Sequence, residues 1–214
     1  QELEILQQIA NKLEQGDHEA VFTLTQQAID DGMPATQILN DGLIAGMDVV
    51  GEKFRVHEIF LPDVLLAAKA MHAGMELLKP LLIKDDVPVL GKVVIGSVQG
   101  DLHDIGKNLV GIMLEGAGLE VIDLGADVAP ERFVGTAVEH GAPVIGMSAL
   151  LTTTMPVMGQ VVKLLEEREL AGRIRTIIGG APVSWEFADQ IGADSYGFDA
   201  ANAVVRVKAL LGLE

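Results

Sequence analysis

The chain has no cysteine, which excludes a disulfide framework and any thiolate metal site. Basic residues are scarce: 15 Lys and Arg stand against 31 Asp and Glu, giving a formal net charge of −16. That balance argues against nucleic acid bound through its phosphates, and anionic membranes are equally poor partners. Although 49% of the residues are hydrophobic, no charge-free apolar run reaches the roughly 18 residues of a transmembrane helix, so a soluble protein is expected. The first residues, Gln1-Glu2-Leu3-Glu4, lack the basic and apolar regions of a signal peptide, which makes the cytoplasm the expected compartment. Three motifs are also missing. There is no GxGxxG after the first strand pattern, no P-loop, and no HExxH or comparable spacing among His18, His57, His72 and His140.

What is present divides into two patterns. Residues 2 to about 83 carry apolar positions at three- and four-residue spacing with few β-branched clusters, which predicts four helices. The first runs near Leu3 to Gln15, and Asp17 caps a second ending by Gly32. Pro34 opens a third that carries Ile38, Leu39, Leu43, Met47, Val50 and Phe54, and Leu61-Pro62 opens a fourth reaching Leu78 or beyond. The segment Leu81 to Leu90, with its charges and flanking prolines, reads as a connector. The expected domains are a helical bundle over 1–88 and a second domain over 89–214.

From Gly91 short apolar strands alternate with helices, the mark of a parallel sheet. Strands are expected at Val93 to Val98, Glu120 to Leu124, Val144 to Ser148, Thr176 to Ile178 and Ser195 to Gly197. Helices fall near Gly106 to Ala117, Pro130 to His140, Met155 to Arg168, Trp185 to Ile191 and Ala200 to Leu211. The fold class is therefore α plus α/β: a four-helix bundle followed by a flavodoxin-like, or Rossmann-like, five-stranded parallel sheet.

In such sheets ligands bind at the carboxyl ends of the strands, and three loops there are unusual. Gly100-Asp101-Leu102-His103-Asp104-Ile105-Gly106 puts a histidine on a strand-to-helix turn, two residues from a carboxylate able to hold one imidazole nitrogen. Ser148 to Thr154 is rich in hydroxyls, and Gly179-Gly180 would let a bulky ligand approach the backbone. Each has an ordinary alternative, since Ser, Thr and Gly are common turn residues and most loop histidines are merely solvated.

Taken together, Asp101, His103 and Gly106 form DxHxxG, followed after 41 residues by Ser148-Ala149-Leu150 as SxL and after 28 more by Gly179-Gly180. This resembles the cobalamin-binding signature. The upstream bundle is similar to the cap domain of methionine synthase and of corrinoid proteins from anaerobic methyl-transfer systems, through Val50-Gly51-Glu52-Lys53-Phe54 and Phe60-Leu61-Pro62. The resemblance implies cobalamin as cofactor, with His103 as lower axial ligand to cobalt in place of the cofactor's dimethylbenzimidazole. The displaced nucleotide tail would lie beside Ser148, Leu150, Gly179 and Gly180, with weaker matches at Thr152, Tyr196 and Ala200. Asp101 would accept a hydrogen bond from the other imidazole nitrogen. Where methionine synthase completes that relay with a serine, this chain offers Thr154, a hydroxyl on a β-branched side chain. Phe54 and Leu61 match the apolar residues that cover the upper face of the corrin, although an aromatic and a leucine seven apart are also ordinary bundle core.

The function so implied is a corrinoid methyl carrier, not catalytic alone. It would shuttle a methyl group from a substrate-specific methyltransferase to a methyl-acceptor methyltransferase, with tetrahydrofolate or coenzyme M as acceptor and a reductive activator as a further partner. Two alternatives share the sheet domain. A cobalamin-dependent sensor or regulatory protein usually carries a DNA-binding element that the acidic charge disfavours, and the small subunit of an adenosylcobalamin mutase has no need of the bundle.

Overall fold

The computed structural model describes residues 2–85 and 89–213. The chain forms two compact units, Gln1–Pro88 with Gly116–Gly118, and Val89–Glu115 with Leu119–Glu214. Asp86, Val87 and Pro88, part of the expected connector, lie outside the described residues.

The first unit is helical: α1 (Glu2–Glu14), α2 (His18–Asp30), a short turn α3 (Ala35–Gln37), α4 (Ala45–Arg55) and α5 (Leu61–Lys84). Asp17 caps α2 by accepting the Ala20 N–H at 3.1 Å, and Asp63 turns back to accept the Phe60 N–H at 2.9 Å at the start of α5. Ile9, Leu13, Val21, Ile38, Leu43, Val50, Val64 and Leu78 are fully buried, one apolar stripe from each long helix. Two features depart from the expected bundle. Residues Ile38–Ile44 between α3 and α4 wind as a π-helix, so the third helix is one rod with a widened middle. In addition, α5 passes through Pro80 to Lys84, into the segment read as connector. Proline removes one i→i−4 hydrogen bond, yet here it falls in the last turns, where little helix remains to be lost. Gly46 lets α4 approach α1: a Cβ there would lie 2.8 Å from the Ala10 carbonyl oxygen.

The second unit is a five-stranded, wholly parallel sheet in the order β2-β1-β3-β4-β5, with β1 (Lys92–Ser97), β2 (Glu120–Asp123), β3 (Val144–Ser148), β4 (Arg175–Gly179) and β5 (Ser195–Gly197). Helices α6 (Ile105–Gly116), α7 (Pro130–His140), α8 (Pro156–Glu167), α9 (Trp185–Ile191) and α10 (Ala200–Leu210) make the crossovers. Alternation along the strands divides the core. Val94, Ile145 and Ile178 pack with Phe133, Val161 and Ala188 on one face, and Val93, Ile95, Val144 and Ile177 pack with Leu114 and Val207 on the other. Strand order reverses between β1 and β3, and the loops after those two strands carry His103 and Thr154. No helix among the described residues is long and apolar enough to cross a membrane.

Candidate functional site

The site is organised by Asp101, which is fully buried at the end of the turn that follows β1. One carboxylate oxygen, Oδ1, accepts the backbone N–H of His103 at 3.0 Å and lies 2.8 Å from His103 Nδ1. The other, Oδ2, accepts the Leu150 N–H at 2.8 Å and the Thr154 hydroxyl at 2.7 Å. Burial works against ionisation of this group. The Leu150 N–H, the Thr154 hydroxyl and the two His103 donors outweigh it and hold the carboxyl well below the usual carboxylate range. An ionised carboxylate can only accept, so the shared proton sits on Nδ1, and Nε2 is the ring nitrogen not engaged by Asp101. The His103 side chain is 52% exposed, which leaves that nitrogen open to a ligand.

Thr154 fits its place. It is buried, its hydroxyl also lies 3.0 Å from the Leu151 carbonyl, and its extra methyl is accommodated beside Gly100, where a Cβ would stand 3.5 Å away. The loops after β1, β3 and β4 are locked to one another. Gly180 has φ 127°, and a Cβ there would fall 1.9 Å from the Ala149 carbonyl oxygen, so only glycine allows that approach.

A cavity of about 400 Å³ opens at the same strand ends, between the sheet, α6 and α10. On the face it occupies, β3, β4 and β5 place Gly146, Gly179 and Gly197 at positions where a sheet buried on both sides ordinarily carries branched residues. Gly106, Ser148, Gly179, Gly180 and Ala200 border it. At Gly106 a Cβ would meet nothing within 4 Å, so a side chain there would stand in open space at the cavity's mouth. Tyr196 borders the cavity too, but its ring belongs to the opposite face, edge-on to Trp185 at 5.7 Å between centroids. Thr152 is exposed and does not line it. Leu102, Asp104 and Ile105 beside His103, and Leu150 on the loop that Asp101 ties to it, are exposed, three of the four being apolar. Phe54 and Leu61 belong to the helical unit, Phe54 half-buried near the end of α4 and Leu61 exposed at the start of α5.

Three contributors escape the motif. Ser97 is buried and donates its hydroxyl to the His103 carbonyl at 2.6 Å. Lys107, 4% exposed, directs its ammonium to both oxygens of Asp123 at 2.7 and 2.8 Å and to Asn108 Oδ1 at 2.7 Å. The sequence does hold a signal for it, a lysine three and seven residues before Val110 and Leu114 on a helix face that is otherwise apolar. The third is Asp127, which accepts the Gly100 N–H.

The exposed imidazole of His103 can ligate a metal, and the largely apolar cavity at the same strand ends can take up an apolar group. Comparison with known proteins agrees. Residues 91–205 match the family model described as "B12 binding domain", and residues 5–79 match a second model with the same description. The chain is 40% identical over 213 residues to a corrinoid protein of Desulfitobacterium hafniense, covering 98% of this chain and 99% of that protein. It is 41% identical over 210 residues to trimethylamine corrinoid protein 1 of Methanosarcina mazei, with 97% of each covered. Among solved structures it superposes on the methanol:cobalamin methyltransferase complex from Methanosarcina barkeri with a TM-score of 0.87 and 32% identity, covering 98% of this chain and 80% of that one. The chain is thus a member of the B12-binding family, a corrinoid protein of the methyltransferase-associated kind, and its cofactor is cobalamin.

Proposed function

We propose that this protein is a cytoplasmic methyl carrier that holds cobalamin with its dimethylbenzimidazole displaced, His103 taking the lower axial position and the nucleotide tail entering the cavity beside Ser148, Gly179 and Gly180. The observation that carries this reading is the Asp101 carboxylate. Buried and met by donors on both oxygens, it holds His103 through Nδ1 and leaves Nε2 as the nitrogen for a ligand. A carboxylate behind a ligating imidazole orients the ring and raises its basicity.

Bound there, the corrinoid cobalt supplies the centre that accepts and releases the methyl group. The remaining tasks belong to the chain. Asp101 and Thr154 hold the Nδ1 proton, and Leu102, Ile105 and Leu150 offer an apolar seat around the imidazole. Residues 1–88 act as the cap, with Phe54 and Leu61 excluding water from the upper face, and 89–214 as the cofactor domain. The names of the relatives, trimethylamine and dimethylamine corrinoid proteins and a methanol:cobalamin methyltransferase, favour a methylamine or methanol as donor. The partners in this reading are a substrate-specific methyltransferase, a methyltransferase that passes the group to tetrahydrofolate or coenzyme M, and a reductive activator.

The test is reconstitution of the apo chain with cobalamin. The absorption spectrum should show the dimethylbenzimidazole released, and paramagnetic resonance of the cobalt(II) form should show coupling to one imidazole nitrogen. His103→Ala should lose that coupling. An unchanged spectrum in the variant would remove His103 from the ligand position. Methyl transfer to or from methylamine and methanol methyltransferases then tests the carrier role.

A further inference from the structure

Ser97 ends β1 and is fully buried. Its main chain is spent on the segment after β2: its N–H donates to the Gly125 carbonyl at 2.9 Å, and its carbonyl accepts the Val128 N–H at 3.0 Å. One residue on, the Val98 N–H donates to the Ser148 carbonyl at 3.0 Å, so the strand end is gripped from both neighbours. The hydroxyl has no part in that pairing. It donates instead to the His103 carbonyl at 2.6 Å, six residues further along the chain. Helix α6 does not claim that carbonyl, because its ladder starts one residue later, with the Asn108 N–H on the Asp104 carbonyl at 2.8 Å. His103 is therefore held at its N–H and Nδ1 by Asp101 and at its C=O by Ser97, while its ring stays exposed. The two anchors differ in footing. Asp101 shares the turn of the histidine, whereas Ser97 belongs to the sheet.

We propose that Ser97 is a positioning residue for the axial ligand: its hydroxyl fixes the His103 main chain to the sheet before the cofactor arrives. The inference rests on the reading that His103 takes the lower axial position. A ligand carried on a loop is placed only as well as the loop's backbone is, and a loop ordered during binding loses affinity to that ordering. Ser97 acts through His103 alone, since it is buried and does not border the cavity. Without the hydroxyl, the turn keeps its hold on the histidine N–H and loses the one on its C=O. His103 then samples positions from which its ring does not reach the metal. A hydrogen bond of this kind changes an equilibrium constant about three- to tenfold.

The experiment is a double-mutant cycle on the full-length apo chain, read by equilibrium dialysis against cobalt(II) cobinamide, a corrinoid with no base of its own to compete for the lower face. Ser97→Ala should bind it about three- to tenfold more weakly than the parent. In a His103→Ala background the same substitution should change affinity by no more than about twofold. An equal loss in both backgrounds would make the role of Ser97 purely structural and overturn the proposal, as would no loss in either. A His103→Ala protein that bound as tightly as the parent would overturn axial ligation itself, and the inference with it. The cobalt(II)/cobalt(I) midpoint potential is the second readout. An axial donor favours cobalt(II) over cobalt(I), so the potential should move positive in Ser97→Ala, toward that of His103→Ala. Ser97→Thr restores a hydroxyl and should recover both affinity and potential, while Ser97→Cys, a weak donor, should resemble alanine and carries the comparison if the alanine variant folds poorly. A folded threonine variant no better than the alanine one counts against the proposal.

Discussion

Asp127 and Gly100 hold each other across two loops: the Asp127 carboxylate accepts the Gly100 N–H at 2.7 Å, while the Asp127 N–H donates to the carbonyl of Asp101, Gly100's neighbour, at 3.0 Å. The loop after β2 thereby braces the turn that presents His103. Asp127 sits at φ 55°, a left-handed conformation that Asp, Asn and Gly tolerate and other residues resist.

Substitutions at this position should separate its two roles. Asp127→Asn keeps both the backbone preference and a side-chain acceptor, and should lie within about 0.5 kcal/mol of the parent in denaturant unfolding. Asp127→Gly keeps the backbone and loses the acceptor, so the Gly100 amide should exchange faster with deuterium while global stability falls little. Asp127→Ala adds backbone strain and should cost about 1–2 kcal/mol. An alanine variant as stable as the asparagine one would show that the brace carries no weight.

The pair Lys107 and Asp123 should respond asymmetrically. Asp123→Ala strands a buried ammonium with only Asn108 for support and should cost about 2–4 kcal/mol, toward the lower end because Asp123 itself is partly exposed. Lys107→Met leaves a carboxylate that water reaches and that still accepts the Gly125 N–H at 2.8 Å. Its cost should be smaller, below about 1.5 kcal/mol, and urea unfolding of the two variants checks the order.

At Thr154 the hydroxyl rather than the shape should matter. Thr154→Val preserves volume and removes a charge-assisted hydrogen bond to buried Asp101, which should destabilise the chain by about 1.5–3 kcal/mol. Thr154→Ser restores the bond and deletes one methyl, for a loss of about 1 kcal/mol or less. If serine and valine variants proved equally stable, Asp101 would not depend on this donor.

How far these relationships could be read in advance depended on their range. The loop of His103 was legible because the signal is local, a β-branched strand, a short polar turn and an apolar helical stripe in consecutive residues. All five strands stood out for the same reason, their apolar runs being bounded by turn residues. The link from Asp101 to Thr154 spans 53 positions and became visible only through resemblance to a family, since spacing alone does not say which strand ends meet. Asp127 and Asp123 gave no signal at all. One depends on a backbone dihedral and the other on the parallel register of β1 with β2, and neither is encoded in periodicity. The segment from Leu81 reads as connector because proline usually ends a helix, and here the apolar residues after Pro80 continue one to Lys84. The cavity's glycines at positions 146 and 197 carry no signal of their own, because a single strand glycine looks like weak β-propensity until its neighbours' faces are known.

Gly106 separates folding from binding most cleanly. It lies in the first turn of α6, has ordinary negative φ, and a Cβ there touches no other atom within 4 Å, so the apo protein gains nothing from glycine at this position. Gly106→Ala should therefore stabilise the apo chain, by up to about 1 kcal/mol from the backbone entropy that glycine loses on folding. The same methyl stands at the mouth of the cavity, and larger groups obstruct it more. Cobalamin affinity should fall modestly in Gly106→Ala and by at least about tenfold in Gly106→Leu, where an obstructing side chain must be displaced or the tail excluded, while affinity for tailless cobinamide stays unchanged. Thermal unfolding of the apo variants and dialysis against both corrinoids read the two effects independently. A leucine variant that bound cobalamin as the parent does would mean that the tail does not pass this residue.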